Sequence, residues 1–189
     1  MHAPRNFREV VLADLLRAQR LKIRIEDAID PQFRIASPEG DWWIAIMLDG
    51  DRAERNEQMQ LVSKFMASKL SPVFTVACEL ADPDALCCVG VSHRESHGVM
   101  SHIRRDPLIF LPEHWLTPEQ IDPDLLALLP RGEIALDTRT LMELEDWFGP
   151  RGRFPALQIT NEANLAFSKN TSDGFYENAD TALVRGVNG

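Results

Sequence analysis

The apolar residues of this chain change their period as the sequence proceeds, and that change limits the fold more than any motif does. From Phe7 to about Arg20 the residues Phe7, Val11, Leu15 and Ala18 recur at helical spacing, with Val10, Leu12 and Leu16 widening the stripe. Leu21, Ile23 and Ile25 then alternate with Lys22, Arg24 and Glu26, the period of a short half-buried strand. After the break at Asp30-Pro31, Phe33 to Ala36 and Trp42 to Leu48 form a hairpin around Pro38-Glu39-Gly40. The run from Trp42 to Leu48 is apolar on both faces and reads as a central strand.

Helical period returns at Asp51, which can accept the orphan N–H groups of a first turn while Glu54 occupies the reciprocal capping-box position. Met59, Val62, Phe65, Met66 and Leu70 make the buried face of this helix, and Pro72 follows its end. Val73 to Leu80 and Leu86 to Ser92 read as strands joined by the turn Ala81 to Ala85. The segment from His93 to Arg105 is the least readable ordered part of the chain, and its stretch Ser92 to His102 reads as an exposed, partly basic loop. Leu108 to Leu111 is a short apolar strand, and helices begin at Thr117-Pro118 and again at Asp122-Pro123. A last helix is capped by Asp137 or Thr138, turns Leu141, Leu144, Trp147 and Phe148 inward, and closes at Gly149-Pro150. Phe154 to Ile159 supplies a final strand.

Together these elements predict an α+β fold, a mostly antiparallel sheet covered by three or four helices. Residues 1–160 form the single domain. Residues 161–189, dominated by Asn, Ser, Thr, Asp and Gly, form a poorly ordered C-terminal tail, because so little apolar surface cannot offset the ordering entropy. Trp42, Trp43, Met59, Val62, Phe65, Val76 and Cys88 are expected in the main core.

Charge and cysteine usage narrow the function classes. A net charge of −9 disfavours general nucleic-acid or anionic-membrane binding, which needs clustered cations. The charge is uneven. Six cations against two acids give +4 between Arg5 and Arg24, and two cations against ten acids give −8 between Asp106 and Trp147. Cys78, Cys87 and Cys88 lie in apolar runs with no spaced framework, as small core residues of a reducing compartment do. With no apolar leader-like run at the N-terminus, and no apolar run long enough to span a bilayer, the expected location is cytoplasmic.

The densest group of chemically active side chains is Ser92 to His102, with His93, His97 and His102. On a helix His93 and His97 would share a face one turn apart, a spacing that can grip a transition metal. Glu95 lies two positions from each, so a helix points it away from them. A strand puts all three on one face but sets His93 and His97 about 13 Å apart. His93-Arg94-Glu95 opens like the zinc deaminase signature, yet the chain has no cysteine after Cys88 to complete it. Glu79 is expected at the far end of the hairpin from His93, with Leu80 opposite Leu86. Asp49-Gly50-Asp51 lacks the remaining ligands of a calcium loop, Gln60 standing where the glutamate belongs.

No catalytic signature emerges, no cofactor is implied and no metal site is expected. The reading is therefore a non-enzymatic accessory or protein-binding module, chaperone- or adaptor-like, whose partner is another protein or a second copy of itself. The order helix, hairpin, helix, hairpin on a small acidic chain is similar to that of type III secretion chaperones, from which the segment after Ser92 departs. The alternative is a metal-dependent hydrolase centred on His93, Glu95 and His97.

Overall fold

A computed structural model describes residues 6–37, 40–45, 50–69, 73–92, 94–130, 136–148 and 157–159. Helix α1 (Phe7–Lys22) opens with Asn6, whose side chain accepts from the Arg8 N–H, and buries Val10, Val11, Leu15, Ala18 and Leu21. The hairpin of β1 (Gln32–Ser37) and β2 (Gly40–Ala45) follows, then helix α2 (Arg52–Ser68). Strands β3 (Val73–Leu80), β4 (Ala85–Ser92) and β5 (Ser96–Arg104) form a meander, and β6 (Ile109–Phe110) and β7 (His114–Leu116) both pair with β5. A single turn at Pro118–Gln120, helix α3 (Pro123–Ala127), helix α4 (Thr138–Phe148) and strand β8 (Leu157–Ile159) complete the order.

Every strand pair is antiparallel, and the sheet runs β6-β5-β4-β3-β1-β2-β8, with β7 beside β5. The α+β expectation holds. Alternation along the strands sends side chains to two separate cores. On one face Phe33, Ile35, Ile44, Val76, Cys78, Cys87 and Val89 pack against Met59, Val62, Phe65 and Met66 of α2, with Leu125 of α3 and Leu144 and Phe148 of α4. On the other face Ala77, Leu86, Cys88, Val99 and Ile103 pack under Val11, Leu15, Ala18 and Leu21 of α1. Strand β4 is covered on both sides, which is why seven of its eight residues are buried. Gly90 of β4 leaves room for α1: a Cβ there would stand 2.6 Å from the Val11 methyl and 3.1 Å from the Phe7 ring.

Helix α2 begins as its sequence dictates. Asp51 accepts from the Ala53 and Glu54 N–H groups at 2.8 and 3.0 Å, and Glu54 Oε2 accepts from the Asp51 N–H at 2.8 Å. Gly50 precedes it at φ +88°, the left-handed region where glycine is free of strain. Among the residues expected in the core, Met59, Val62, Phe65, Val76 and Cys88 are buried, and Trp42 packs against the α2-side core. Cys88 belongs to the α1-side core rather than the larger one. The Trp43 side chain, residues 46–48, Gly149-Pro150 and the tail beyond Thr160 lie outside what is described.

Four expectations are corrected. Leu21 to Glu26 is not a strand. Helix α1 continues through Lys22, with Leu21 in the helical stripe and Ile23 67% exposed. The alternation misleads because Lys22, polar by type, is buried. The stretch Ser92 to His102 is not an exposed loop: from Ser96 on it belongs to β5, held between β4 and the short pair β6 and β7. The β3–β4 turn has four residues, Ala81 to Asp84, so Leu80 faces Ala85 and Glu79 faces Leu86, one position from the expected register. On α4, Leu144 and Phe148 turn inward and Trp147 packs beside them, but Leu141 is 41% exposed.

Candidate functional site

Strand β5 organises the chemically active side chains. A tight reversal precedes it: the Ser92 N–H donates to the Glu95 carbonyl at 2.8 Å, and Ser92 Oγ accepts from the Arg94 and Glu95 N–H groups. Glu95 and His97, two residues apart, emerge on one side and meet directly, Nε2 to Oε2 at 3.0 Å. A carboxylate can only accept, so an ionised Glu95 fixes the imidazole proton on Nε2. The His97 ring lies 5.2 Å from the Phe7 ring and 6.1 Å from Trp115, centroid to centroid. Arg8, from the first turn of α1, lies over the Trp115 ring at 4.9 Å. Trp115 is thus held between a guanidinium and an imidazole while remaining 36% exposed. Its placement follows from register: Val99 pairs with Trp115, so both point to the α1 side, as His97 does.

Of the three residues in the hydrolase alternative, Glu95 and His97 are brought together, and His93 lies outside the described residues. Among the described residues no group of three or more histidine, cysteine or acidic side chains is placed to hold a metal ion together.

A second cluster ties the far end of β3 to α1. Glu79 accepts from the Ile29 N–H at 2.9 Å, pairs with Lys22 at 3.0 Å and pairs with Arg105 at 2.8 Å. Lys22 also donates to the Glu26 and Asp27 carbonyls, and Arg105 grips Asp84 through Nε at 2.7 Å. Burial alone would raise the Glu79 carboxyl, but the Ile29 N–H, Lys22 and Arg105 together hold it below its ordinary value. The Arg105 hydrogen bonds likewise lower Asp84. Glu79 stands opposite Leu86 and Ser92 opposite Val73, so this cluster and the Glu95–His97 pair occupy opposite ends of the β3–β4 hairpin. It fastens the connection between α1 and β1 to the sheet.

A third group lies within the α1-side core. Asp14 accepts from Arg34 Nη1 at 2.7 Å and from the Thr75 hydroxyl at 2.6 Å, all three residues being buried. Both oxygens of the carboxylate are occupied, which suits a structural bridge between α1, β1 and β3. The cysteines are structural too. Cys87 and Cys88 face opposite cores, and Cys78 stands directly across from Cys87. Burial pushes the Cys78 and Cys87 thiols up to about 12 and raises Cys88 as well, which suppresses the reactive thiolate.

Two features escaped the sequence reading. Trp115 carries no pattern that separates it from an ordinary strand aromatic; only the pairing of β7 with β5 sets it beside His97. His102 lies ring to ring with His114, at 5.4 Å and 15°, because β7 folds back along β5. Their distance in sequence hides the pair.

Compared with protein-family models, curated proteins and solved structures, the chain matches none. The likeness to secretion chaperones therefore rests on element order alone. No helix among the described residues is long and apolar enough to cross a membrane.

Proposed function

We propose that this protein is a non-enzymatic protein-binding module whose contact surface is the β5–β7 margin of the sheet. One observation carries the reading: Trp115 is 36% exposed yet held in place by Arg8 and His97. Tryptophan and arginine dominate the energetics of protein interfaces, and a ring already fixed in its free state loses little rotamer freedom on binding. Leu108 and Leu111, elsewhere on this margin, are 39% and 41% exposed. The other end of the hairpin, around Glu79, is spent on internal ion pairs. A reducing, cytoplasmic setting agrees with three buried thiols, and the partner is another protein or a second copy of this chain.

The test is affinity capture from the native cell extract with three baits: wild type, Trp115→Ala and Arg52→Ala, the last on the exposed start of α2. A partner held by wild type and Arg52→Ala, but lost with Trp115→Ala, supports the reading. Capture that is indifferent to Trp115, or no partner and no self-association at all, removes it.

A further inference from the structure

We propose that His102 and His114 form a two-point site for a borderline transition-metal ion, Zn2+, Cu2+ or Ni2+, whose remaining positions water fills. The two rings come from neighbouring strands of one rigid margin. Met100 pairs with His114, so His102 and His114 are diagonal neighbours on one face, a separation that long side chains bridge. The backbone beneath them is fastened twice: the Leu111 N–H donates to the His102 carbonyl at 2.9 Å, and the Ser101 hydroxyl donates to the Leu111 carbonyl at 2.7 Å.

The separation of the two rings, though not their present orientation, matches shared coordination. A zinc–nitrogen bond is about 2.0–2.1 Å, and the ring centre lies roughly 1.2 Å further out, so two imidazoles on one tetrahedral ion have centres about 5.2 Å apart. The observed separation is 5.4 Å, with the ring planes 15° from parallel. In this stacked arrangement the in-plane nitrogen lone pairs do not converge, so binding requires both imidazoles to rotate until one nitrogen of each faces the ion.

The ring nitrogens are also available. Among the described residues neither imidazole makes a side-chain hydrogen bond or ion pair, whereas His97 is engaged by Glu95. His114 is exposed and His102 half-buried, which gives an ion an entry path and lets water complete its shell. Imidazole nitrogen selects zinc, copper and nickel over magnesium and calcium. The site is open and exchangeable. It is independent of the Trp115 surface, which faces the other side of the sheet.

The experiment is calorimetric titration of the untagged full chain with Cu2+, Ni2+, Zn2+ and, as a contrasting ion, Mg2+. Wild type is expected to take up one equivalent of at least one of the first three and no Mg2+. His102→Asn and His114→Asn should each lower that affinity about tenfold or more, while His97→Asn and His93→Asn leave it unchanged. Circular dichroism confirms that each variant is folded, and His114→Gln, at an exposed position, repeats the measurement if His102→Asn is not. Undiminished binding in His114→Asn, or loss of binding in His97→Asn or His93→Asn instead, overturns the site. So does an absence of binding by wild type.

Discussion

Glu79→Gln tests whether the ion cluster at the end of β3 holds the fold together. The change removes one charge and almost no volume. In the wild type the Lys22 and Glu79 side chains are 3% and 5% exposed and stand 3.0 Å apart. Removing one partner of a buried pair leaves the other charge uncompensated, at a cost of about 3–5 kcal/mol. Lys22 would keep its bonds to the Asp27 and Glu26 carbonyls at 2.8 and 3.3 Å, and an amide oxygen can still accept from the Ile29 N–H. The expected loss is therefore at the lower end, about 3 kcal/mol. Urea unfolding at pH 7, followed by tryptophan fluorescence, measures it. Adding Lys22→Met should recover part of the loss, because the stranded cation is then gone. The pH dependence has a definite sign. The folded Glu79 carboxyl lies below its ordinary value, so its contribution is fully present above the unfolded pKa of about 4.3 and fades as pH falls through the lower folded value. The gap between wild type and Glu79→Gln should be constant near neutrality and narrow only below about pH 4. A loss under about 1 kcal/mol, the range of exposed pairs, or a gap that does not narrow in acid, would refute the reasoning.

Two further outcomes are expected. Phe65→Ala, deleting a side chain that is 6% exposed and stacked on Phe148 at 4.6 Å, should cost about 3–5 kcal/mol in equilibrium denaturation; a loss below about 1 kcal/mol contradicts its core position. At pH 8 Cys78, Cys87 and Cys88 should resist a thiol reagent in the native protein and all react in denaturant, since burial keeps each protonated. Rapid labelling of even one native thiol would show that its strand is not covered as described.

Elements whose signals are local were legible before the structure. Helix α2 carries its own start in Asp51 and Glu54 and its own buried face, and neither depends on anything distant in the chain. Strands β3 and β4 declare themselves through β-branched and apolar residues between turn formers. The separation of Cys87 from Cys88 follows from strand geometry alone. The α+β class and antiparallel pairing follow from these pieces, because short turns join neighbouring strands. The Glu95–His97 pair was visible only as proximity, its meaning hanging on whether the segment was helix, strand or loop.

Tertiary structure decided the rest, and the reason is the same in each case. Strand β5 reads as polar because Ser96, His97, Ser101 and His102 interrupt its apolar residues; it becomes a strand by pairing with β4, β6 and β7. Gly98, a helix-weakening residue in isolation, lets Ile121 and Leu116 approach to where a Cβ would be 3.0–3.1 Å away. Lys22 breaks the helical stripe by residue type, yet it is buried because Glu79, far along the chain, neutralises it. Asp14 is buried on the same terms by Arg34 and Thr75. Trp115 acquires Arg8 and His97, and His102 acquires His114, only when the margin of the sheet folds back on itself. Hydrophobic period and capping are written residue by residue in the sequence; a polar group's partner is not, because desolvating it is tolerable only where a distant charge or hydrogen-bonding group arrives.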